Sequence, residues 1–216
     1  MESSTPASGG SAPAPRRRTG GRSARVRSQV VEAVGALLLE VGYDGLTVDA
    51  VAERAGVHRT TVYRRWRDVG GLLADVLDAV ADDPWQPPDT GTLEGDLTAL
   101  NREVYDALAS GPTLTAALIA ASFRSAEAAG ALSRFWEDRY ARCAVVVDRA
   151  ADRGDVPAGT AARALLVAST APLYHELLLL RTAPDPALPG RAARAAAAAA
   201  RAGAFRRTPG TPGAAQ

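Results

Sequence analysis

The sequence predicts an all-α protein, and three observations lead to that prediction. Apolar residues recur with the 3.6-residue period of a helix in one segment after another. Glycine, proline and threonine stand at the ends of these segments, where helices begin and end. No run of alternating β-branched residues bounded by turn signals interrupts the pattern, so we expect no β-sheet.

The first helices are predicted to be short and closely spaced. An apolar stripe from Val26 to Val41 ends at Gly42, a residue type that commonly terminates a helix. Thr47 is suited to cap the second helix. The fourth helix starts at Val69 and carries a nearly ideal apolar stripe until Pro84 stops it.

The second and third helices together form a helix-turn-helix pattern. A helix of about eight residues precedes a turn at Gly56, and a second short helix follows from Arg59 to Trp66. Val62 and Trp66, one turn apart, face inward. The polar residues of this helix are predicted to be exposed: Arg59, Thr60, Thr61, Tyr63, Arg64 and Arg65. Such a helix fits the major groove of DNA, where Arg pairs with guanine and Thr and Tyr bond phosphates.

The charge distribution favours a DNA-binding function. The formal net charge is only +1, but residues 1–28 hold six arginines against one acid, and residues 54–67 hold five arginines without an acid. Residues 70–100 then hold seven acids and no base. A basic first third is typical of a phosphate-binding protein, although a solvated tail and an ordinary charged helix would give the same counts. The run Arg16–Arg18 is accordingly either an arm for the minor groove or a solvated tail.

Five further helices are predicted after the proline-rich break at 84–88. Their apolar stripes lie within residues 92–108, 114–123, 132–154, 159–181 and 191–205. Pro172 is expected to kink the fourth of them. The last two helices, apolar on more than one face and rich in alanine, predict a homodimer built on residues 159–205. The predicted surface includes the apolar residues Leu165, Leu166, Val167, Leu173, Tyr174 and Leu177–Leu180.

The composition excludes several classes of protein. With 47% hydrophobic and 23% charged residues, the chain of 216 residues is expected to fold. Cys143 is the single cysteine, which excludes a disulfide framework, and with two histidines no metal site or cofactor is expected. No secretory signal and no apolar stretch of about 20 residues is present, so we expect a cytoplasmic protein with no membrane partner.

The helix-turn-helix region resembles the TetR family of bacterial transcriptional regulators. Residues 42–57 (Gly-Tyr-Asp-Gly-Leu-Thr-Val, then Val-Ala and Ala-Gly-Val) resemble that family's helix 1–helix 2 segment, and residues 58–66 resemble its recognition helix. The resemblance covers about residues 25–80. A shorter stretch, Ala-Pro-Leu-Tyr at 171–174, is similar to one subgroup. Two positions depart from the family pattern: His58 replaces a small polar residue, and Val69 replaces a lysine that contacts phosphate.

The resemblance implies both an architecture and a function. An N-terminal three-helix helix-turn-helix DNA-binding domain would span residues 24–82, and a C-terminal helical ligand-binding and dimerisation bundle would span residues 92–205. Residues 1–23 and 206–216 are predicted to be disordered tails. The implied function is a repressor that binds a palindromic double-stranded operator as a homodimer and is released by a small-molecule effector.

Site residues follow by position in the motif. Thr47 and Thr61 would hold phosphates, and Tyr63 and Arg65 would contact the DNA backbone. Base edges would be read by Arg59 and Arg64. Thr60 completes the predicted DNA-binding set, with Arg65 or Arg67 replacing the phosphate contact missing at Val69. The ligand-binding candidates are aromatic and polar residues of the second domain: Arg102, Phe123, Trp136, Tyr140, Tyr174 and His175.

Two other functions were weighed against this interpretation. An enzyme is not expected, because the chain has no nucleophile elbow and no phosphate-binding loop, and Cys143 lies within an apolar stripe. The main alternative is a ligand-independent DNA-binding protein, constitutive or architectural. An adaptor that uses its helices only for protein contact comes third, and it would show no salt-sensitive DNA binding.

Overall fold

A computed structural model describes residues 20–81 and 84–206 of the chain. Throughout these residues the backbone is helical or irregular, with no β-strand, as predicted. The N-terminal part contains four α-helices: α1 (Gly20–Gly45), α2 (Val48–Ala55), α3 (Arg59–Trp66) and α4 (Val69–Ala81). The C-terminal part contains five: α5 (Leu93–Ala109), α6 (Leu114–Ser122), α7 (Ala126–Asp152), α8 (Ala162–Tyr174) and α9 (Leu188–Arg201).

Hydroxyl side chains begin several of these helices. The Oγ1 atom of Thr47 accepts a hydrogen bond from the amide of Ala50 at 3.1 Å, and Thr92 caps α5 in the same way through Gly95 at 3.1 Å. Each bond satisfies one of the amides that the first turn of a helix leaves without a partner. The predicted cap at Thr47 is therefore confirmed.

Helix α1 differs from the prediction at its start. It begins at Gly20, so residues 20–23 are helical although a disordered tail was predicted to run to residue 23. One reason is that Arg65 of α3 donates hydrogen bonds to the carbonyl and hydroxyl oxygens of Ser23. The helix leaves helical geometry at the predicted position, since Gly42 has φ 69° and ψ −175°. The arginine run at residues 16–18 lies outside the described residues.

A change of helix type follows Pro172, the residue at which a kink is predicted. Helix α8 stays α-helical through Tyr174, and the chain then continues as a π-helix over His175–Leu180. Proline lacks the amide that would bond the carbonyl of Ala168, and the wider turn follows directly after it.

Two larger hydrophobic cores and a smaller cluster around Tyr105 and Leu173 hold the helices together, and the division between the two larger cores does not coincide with the predicted domain boundary. The first is formed by α1–α4, together with Leu118 and Ala121 of α6 and Ala128 and Ala131 of α7. The second joins α5, the C-terminal half of α7, α8 and α9. Because the first core extends into α6 and α7, the helix-turn-helix part is packed directly on the C-terminal helices.

Alanines allow α9 to lie close to its neighbours. Its buried face consists of small residues after the first turn: Ala192, Ala193, Ala196, Ala197 and Ala200. A buried polar contact fixes the alignment of three helices, since Asn101 of α5 donates to the carbonyls of Ser169 and Pro189, both at 3.1 Å. Ser169 in turn donates its hydroxyl to the side-chain oxygen of Asn101.

No single helix within residues 20–81 and 84–206 is long and apolar enough to cross a membrane. Helices α5 and α6 satisfy the length and composition requirement only as a pair, and that pair is bent by 83°.

The first turn of α4 requires glycine at position 71. A Cβ atom there would lie 2.2 Å from the carbonyl oxygen of Trp66, a backbone atom that moves only with the end of α3. We predict that Gly71→Ala lowers the free energy of unfolding by about 1–3 kcal/mol, the usual range for overpacking. The matched control is Gly130→Ala within α7, where the nearest atom is the flexible end of Arg134 at 3.6 Å.

The control should stabilise the protein by about 0.5–1 kcal/mol, because alanine loses less conformational entropy than glycine in a helix. Urea unfolding followed by circular dichroism measures both changes. Equal effects of the two substitutions would contradict the close approach at residue 71.

Candidate DNA-binding surface and ligand cavity

The turn between α2 and α3 sets the direction of the exposed helix. Gly56 adopts the left-handed conformation (φ 63°, ψ 32°), and its amide together with that of Val57 closes the end of α2. His58 precedes α3 without a side-chain bond to the helix amides, and its Nδ1 atom lies 2.9 Å from the hydroxyl of Thr60. Helix α3 therefore begins without a side-chain cap, unlike α2.

Helix α3 is anchored by two side chains, as predicted. Val62 and Trp66 are buried, at 0% and 6% exposure. The indole Nε1 of Trp66 donates to Asp75 of α4 at 2.7 Å, and the other oxygen of that carboxylate accepts from Arg27 of α1 at 2.8 Å. One carboxylate thereby fixes α3 against both α1 and α4.

The predicted DNA-binding residues lie on the opposite side of α3 and around it. Most are exposed: Thr47, Arg59, Thr60, Tyr63, Arg64, Arg65 and Arg67, with Thr61 half-buried. Tyr63 exposes 46% of its surface although it is a large side chain. These residues therefore form a solvent-facing, basic surface without an acidic side chain between positions 54 and 67.

Arg65 is held in place within this surface. Its Nη1 atom donates to the Ser23 hydroxyl at 3.1 Å, and its guanidinium lies 4.9 Å from the centre of the Trp66 ring. Arg67 follows with a backbone φ of 63°, a conformation that is uncommon for residues other than glycine. The two candidates for the missing phosphate contact thus differ in how their side chains are held. Arg65 is bonded to α1, whereas Arg67 stands at the end of α3.

Helix α1 also contributes to this surface, which the sequence motifs did not predict. Ser23, Arg25 and Gln29 line an open depression that continues onto the α2–α3 turn and Arg64. The sequence does contain a signal for this contribution, because Arg25 belongs to the basic N-terminal region and lies next to the buried stripe that starts at Val26.

A cavity of about 260 Å³ lies between α4, α5, α6, α7 and α8. Its wall is mostly apolar and includes Leu77 and Val80 at the end of α4. The linker between α4 and α5 adds Trp85. Enclosed apolar cavities with few polar groups are the usual binding places for small organic molecules.

Aromatic rings form one side of the cavity. Trp136 stacks with Tyr140 at 6.0 Å between ring centres and meets Tyr174 edge-on at 5.7 Å. Burial raises the pKa of both tyrosine hydroxyls, so these groups stay protonated and neutral. Burial also raises the pKa of the Cys143 thiol to about 11, which confirms a buried cysteine without nucleophilic character.

Arg139 is the cation in this wall. Its guanidinium lies 4.0 Å from the centre of the Trp85 ring and 5.6 Å from that of Phe135. The Nη1 atom is buried and has no hydrogen-bond partner among the described residues. Glu103 also lines the cavity but is exposed to solvent.

Three of the six predicted ligand-binding residues line the cavity, and the other three do not. Trp136, Tyr140 and Tyr174 line the cavity. Phe123 is 83% exposed and lines an open groove on the outer side of these rings.

The remaining two candidates lie elsewhere on the surface. Arg102 faces an open depression beside Arg201, with its guanidinium 5.7 Å from the centre of the Tyr105 ring. His175 is exposed on the π-helix. Neither side chain lines the cavity, because the turn of its helix places it on the outer face.

Two family models match the chain on either side of the linker. One, described as "Bacterial regulatory proteins, tetR family", matches residues 31–76. The other, "Tetracyclin repressor-like, C-terminal domain", matches residues 87–205 and so covers more than half of the chain. The chain belongs to the TetR family of bacterial transcriptional regulators. The prediction of a DNA-binding regulator that is not an enzyme is thereby confirmed.

Individual TetR-family proteins are similar over most of their length. The HTH-type transcriptional regulator AqdR of Rhodococcus erythropolis is 33% identical over 156 residues, which cover 71% of this chain and 74% of AqdR. An uncharacterised HTH-type regulator of Bacillus subtilis, YdeS, is 25% identical over 69% of this chain and 77% of its own. The crystal structure of the TetR family regulator SCO0332 has a TM-score of 0.63 and 29% identity, covering 81% of this chain and 97% of its own.

Proposed function

We propose that this TetR-family protein is a repressor that binds a palindromic operator as a dimer and releases it when a small molecule fills the cavity. Residues 24–82 would contact DNA, and residues 92–205 would bind the ligand and form the dimer. Tails would precede and follow these two parts.

The position of helix α4 is the observation that supports this proposal, because α4 contacts both the DNA-facing helix α3 and the cavity. Asp75 holds Trp66 of the DNA-facing helix, as described above. Leu77 and Val80, within the next turn and a half of the same helix, line the cavity. A ligand that displaces the end of α4 would therefore move the helix to which α3 is bonded.

Release requires that the ligand bind two states of the protein with different affinity. In one state the two α3 helices of a dimer would fit successive major grooves, about 34 Å apart. Occupation of the cavity would favour a state with another spacing. Trp136, Tyr140 and Tyr174 are the proposed ligand contacts in that state, since their rings face the cavity.

The dimer surface we propose differs in composition from the one expected from the sequence. Leu165, Leu166 and Leu173 are buried within the chain itself, where they pack against α5, α7 and α9. The outer side of α8 instead carries exposed alanines at positions 164, 168 and 171, one turn apart. Small side chains allow a second helix to approach closely, and α9 adds exposed alanines at 195 and 198.

The first experiment is selection of DNA bound by the full chain, from a random pool and from the DNA next to its gene. The selected operator should be an inverted repeat. Small apolar aromatic compounds are then titrated while operator binding is followed by fluorescence anisotropy. A compound that binds the protein should lower operator affinity, and Trp136→Ala, if still folded, should weaken that response.

The ligand-independent alternative makes the opposite prediction. If compounds bind the cavity but the operator dissociation constant does not change at any ligand concentration, release by a ligand is excluded and a constitutive DNA-binding function remains. The absence of any salt-sensitive DNA binding would exclude both functions and favour an adaptor.

A further inference from the structure

The cavity wall contains a cation, Arg139, with one buried N–H group that has no hydrogen-bond partner among the described residues. Arg139 extends from α7 into a wall that is otherwise formed mainly by leucine, valine and aromatic side chains. Its buried Nη1 atom has no partner, and no carboxylate of the described residues lies within ion-pair distance of its guanidinium. Leaving a buried N–H group without an acceptor costs free energy, which an acceptor on a ligand would recover.

Arg139 lines the cavity, and aromatic side chains lie close to its guanidinium. Trp85 covers the guanidinium face at 4.0 Å, and Phe135 lies 5.6 Å away. Because Trp85 packs against one face of the guanidinium, a ligand would bond its N–H groups at the edge of the plane, where Nη1 lies. Arginine presents its N–H groups in a fixed planar fork that suits a carboxylate or another planar acceptor.

The other polar groups of the wall do not offer an equivalent anchor. The hydroxyls of Tyr140 and Tyr174 are neutral, and burial raises their pKa further above the ordinary value. The Thr170 hydroxyl already donates to the carbonyl of Leu166 at 3.1 Å. Glu103 would repel an anion, but it is exposed to solvent, which screens its charge.

We propose that Arg139 is the polar anchor of the cavity and that the effector is a flat, apolar molecule with one hydrogen-bond acceptor, an organic anion such as an aromatic carboxylate. This inference rests on the proposed function only in assuming that the cavity takes a small molecule. The aromatic rings of Trp136 and Tyr140 supply the flat apolar surface, and Arg139 supplies the charge at one end.

Arg139 also connects the ligand to the linker that follows α4. Trp85 packs on the same guanidinium that would bind the ligand, and the neighbouring Arg142 donates to the carbonyl of Ala81 at 3.0 Å, at the end of α4. An acceptor that draws Arg139 away from Trp85 would loosen one contact that holds the linker on α7.

The test uses four probes with the same ring system and different end groups: 2-naphthoate, 2-acetylnaphthalene, 2-ethylnaphthalene and 2-naphthylmethylamine. Calorimetric titration of the full chain should give the tightest binding for the anion and the weakest for the cation. A charge-assisted hydrogen bond corresponds to a preference for 2-naphthoate over 2-ethylnaphthalene of about tenfold to a hundredfold.

Arg139→Met should abolish this preference while 2-ethylnaphthalene still binds, because methionine retains an apolar stem in the cavity. Arg139→Lys keeps the charge and should retain part of the preference, which covers the case that the methionine variant does not fold. The control is Arg134→Met on the same helix, whose side chain is 66% exposed and does not line the cavity.

Equal binding of the anion and the ethyl compound, failure of all four probes to bind, or an undiminished preference in Arg139→Met would overturn the proposal. A different result would contradict the proposed function. If 2-naphthoate binds through Arg139 but operator affinity stays unchanged, the anchor is supported and release by such a ligand is not.

Discussion

Replacing Ala168 by glutamate is expected to convert the proposed dimer into a monomer. Ala168 is exposed at the middle of α8, between Ala164 and Ala171 on the same outer side. If two copies of α8 pack through this side, a glutamate at its centre would place two carboxylates in a contact too close to hydrate them. Light scattering at micromolar concentration should then return the mass of one chain.

The loss of the dimer should have a large effect on DNA binding. A dimer holds two half-sites at once, and the second contact forms at a high effective concentration. We expect Ala168→Glu to weaken binding to a full operator by about 10²- to 10⁴-fold, while binding to a single half-site stays nearly unchanged. Fluorescence anisotropy with the two DNA duplexes measures both quantities.

Ala129→Glu is the matched control, because Ala129 is an exposed alanine on α7 and the substitution is identical. This variant should remain dimeric and bind the full operator as the parent protein does. A dimeric Ala168→Glu variant would place the contact on another surface. The groove beside Phe123 would be the next candidate, because Phe123 and Leu179 are largely exposed there.

The helix-turn-helix part was predictable from the sequence because its signals are local. Helix α3 has the predicted bounds, Arg59–Trp66, and its two buried residues are the predicted ones. The cap at Thr47 and the glycines at positions 42 and 56 determine where the helices next to them begin and end. Each acts only on residues close to it in the sequence. Such features depend little on the distant chain, so a single sequence contains enough information to predict them.

The C-terminal part was less predictable because periodicity identifies an apolar face and not its partner. The leucines of α8 were expected at a dimer surface, but the alanines of α9 let α5, α8 and α9 pack closely, and Leu165 and Leu173 are buried between them. Arg102 and Arg139 both belong to helices with apolar stripes, yet only Arg139 reaches the cavity. Which of them does so depends on how α5 and α7 are rotated against each other.

The second large effect is expected from Arg59 on the DNA-facing helix. Arg59 is the first residue of α3 and is exposed, and the N-terminal residues of a helix in the major groove approach the base edges most closely. We predict that Arg59→Ala costs about 1–3 kcal/mol of operator binding per half-site and relaxes the preference at one base pair. Because the loss is specific to sequence, binding to scrambled DNA should change much less.

Two further variants of α3 separate base reading from phosphate contact. The Tyr63 hydroxyl, one turn after Arg59, is proposed to bond a phosphate as a neutral donor. Tyr63→Phe should therefore weaken the binding of all DNA sequences by about 1 kcal/mol and leave the salt dependence nearly unchanged.

Arg65, fixed by Ser23 and Trp66, is proposed to contact a phosphate as a cation. Arg65→Ala should weaken all sequences and reduce the slope of log K against log salt by about 1 per subunit.

Titrations of the three variants on operator and scrambled DNA, at several salt concentrations, decide between these roles. Circular dichroism must show that Arg65→Ala keeps α1 folded, since Arg65 also bonds the start of that helix. If Arg59→Ala loses equal affinity for both DNAs while Arg65→Ala changes the base preference, the two sides of α3 are assigned the wrong way round. In that case Arg65, and not Arg59, would face the floor of the major groove.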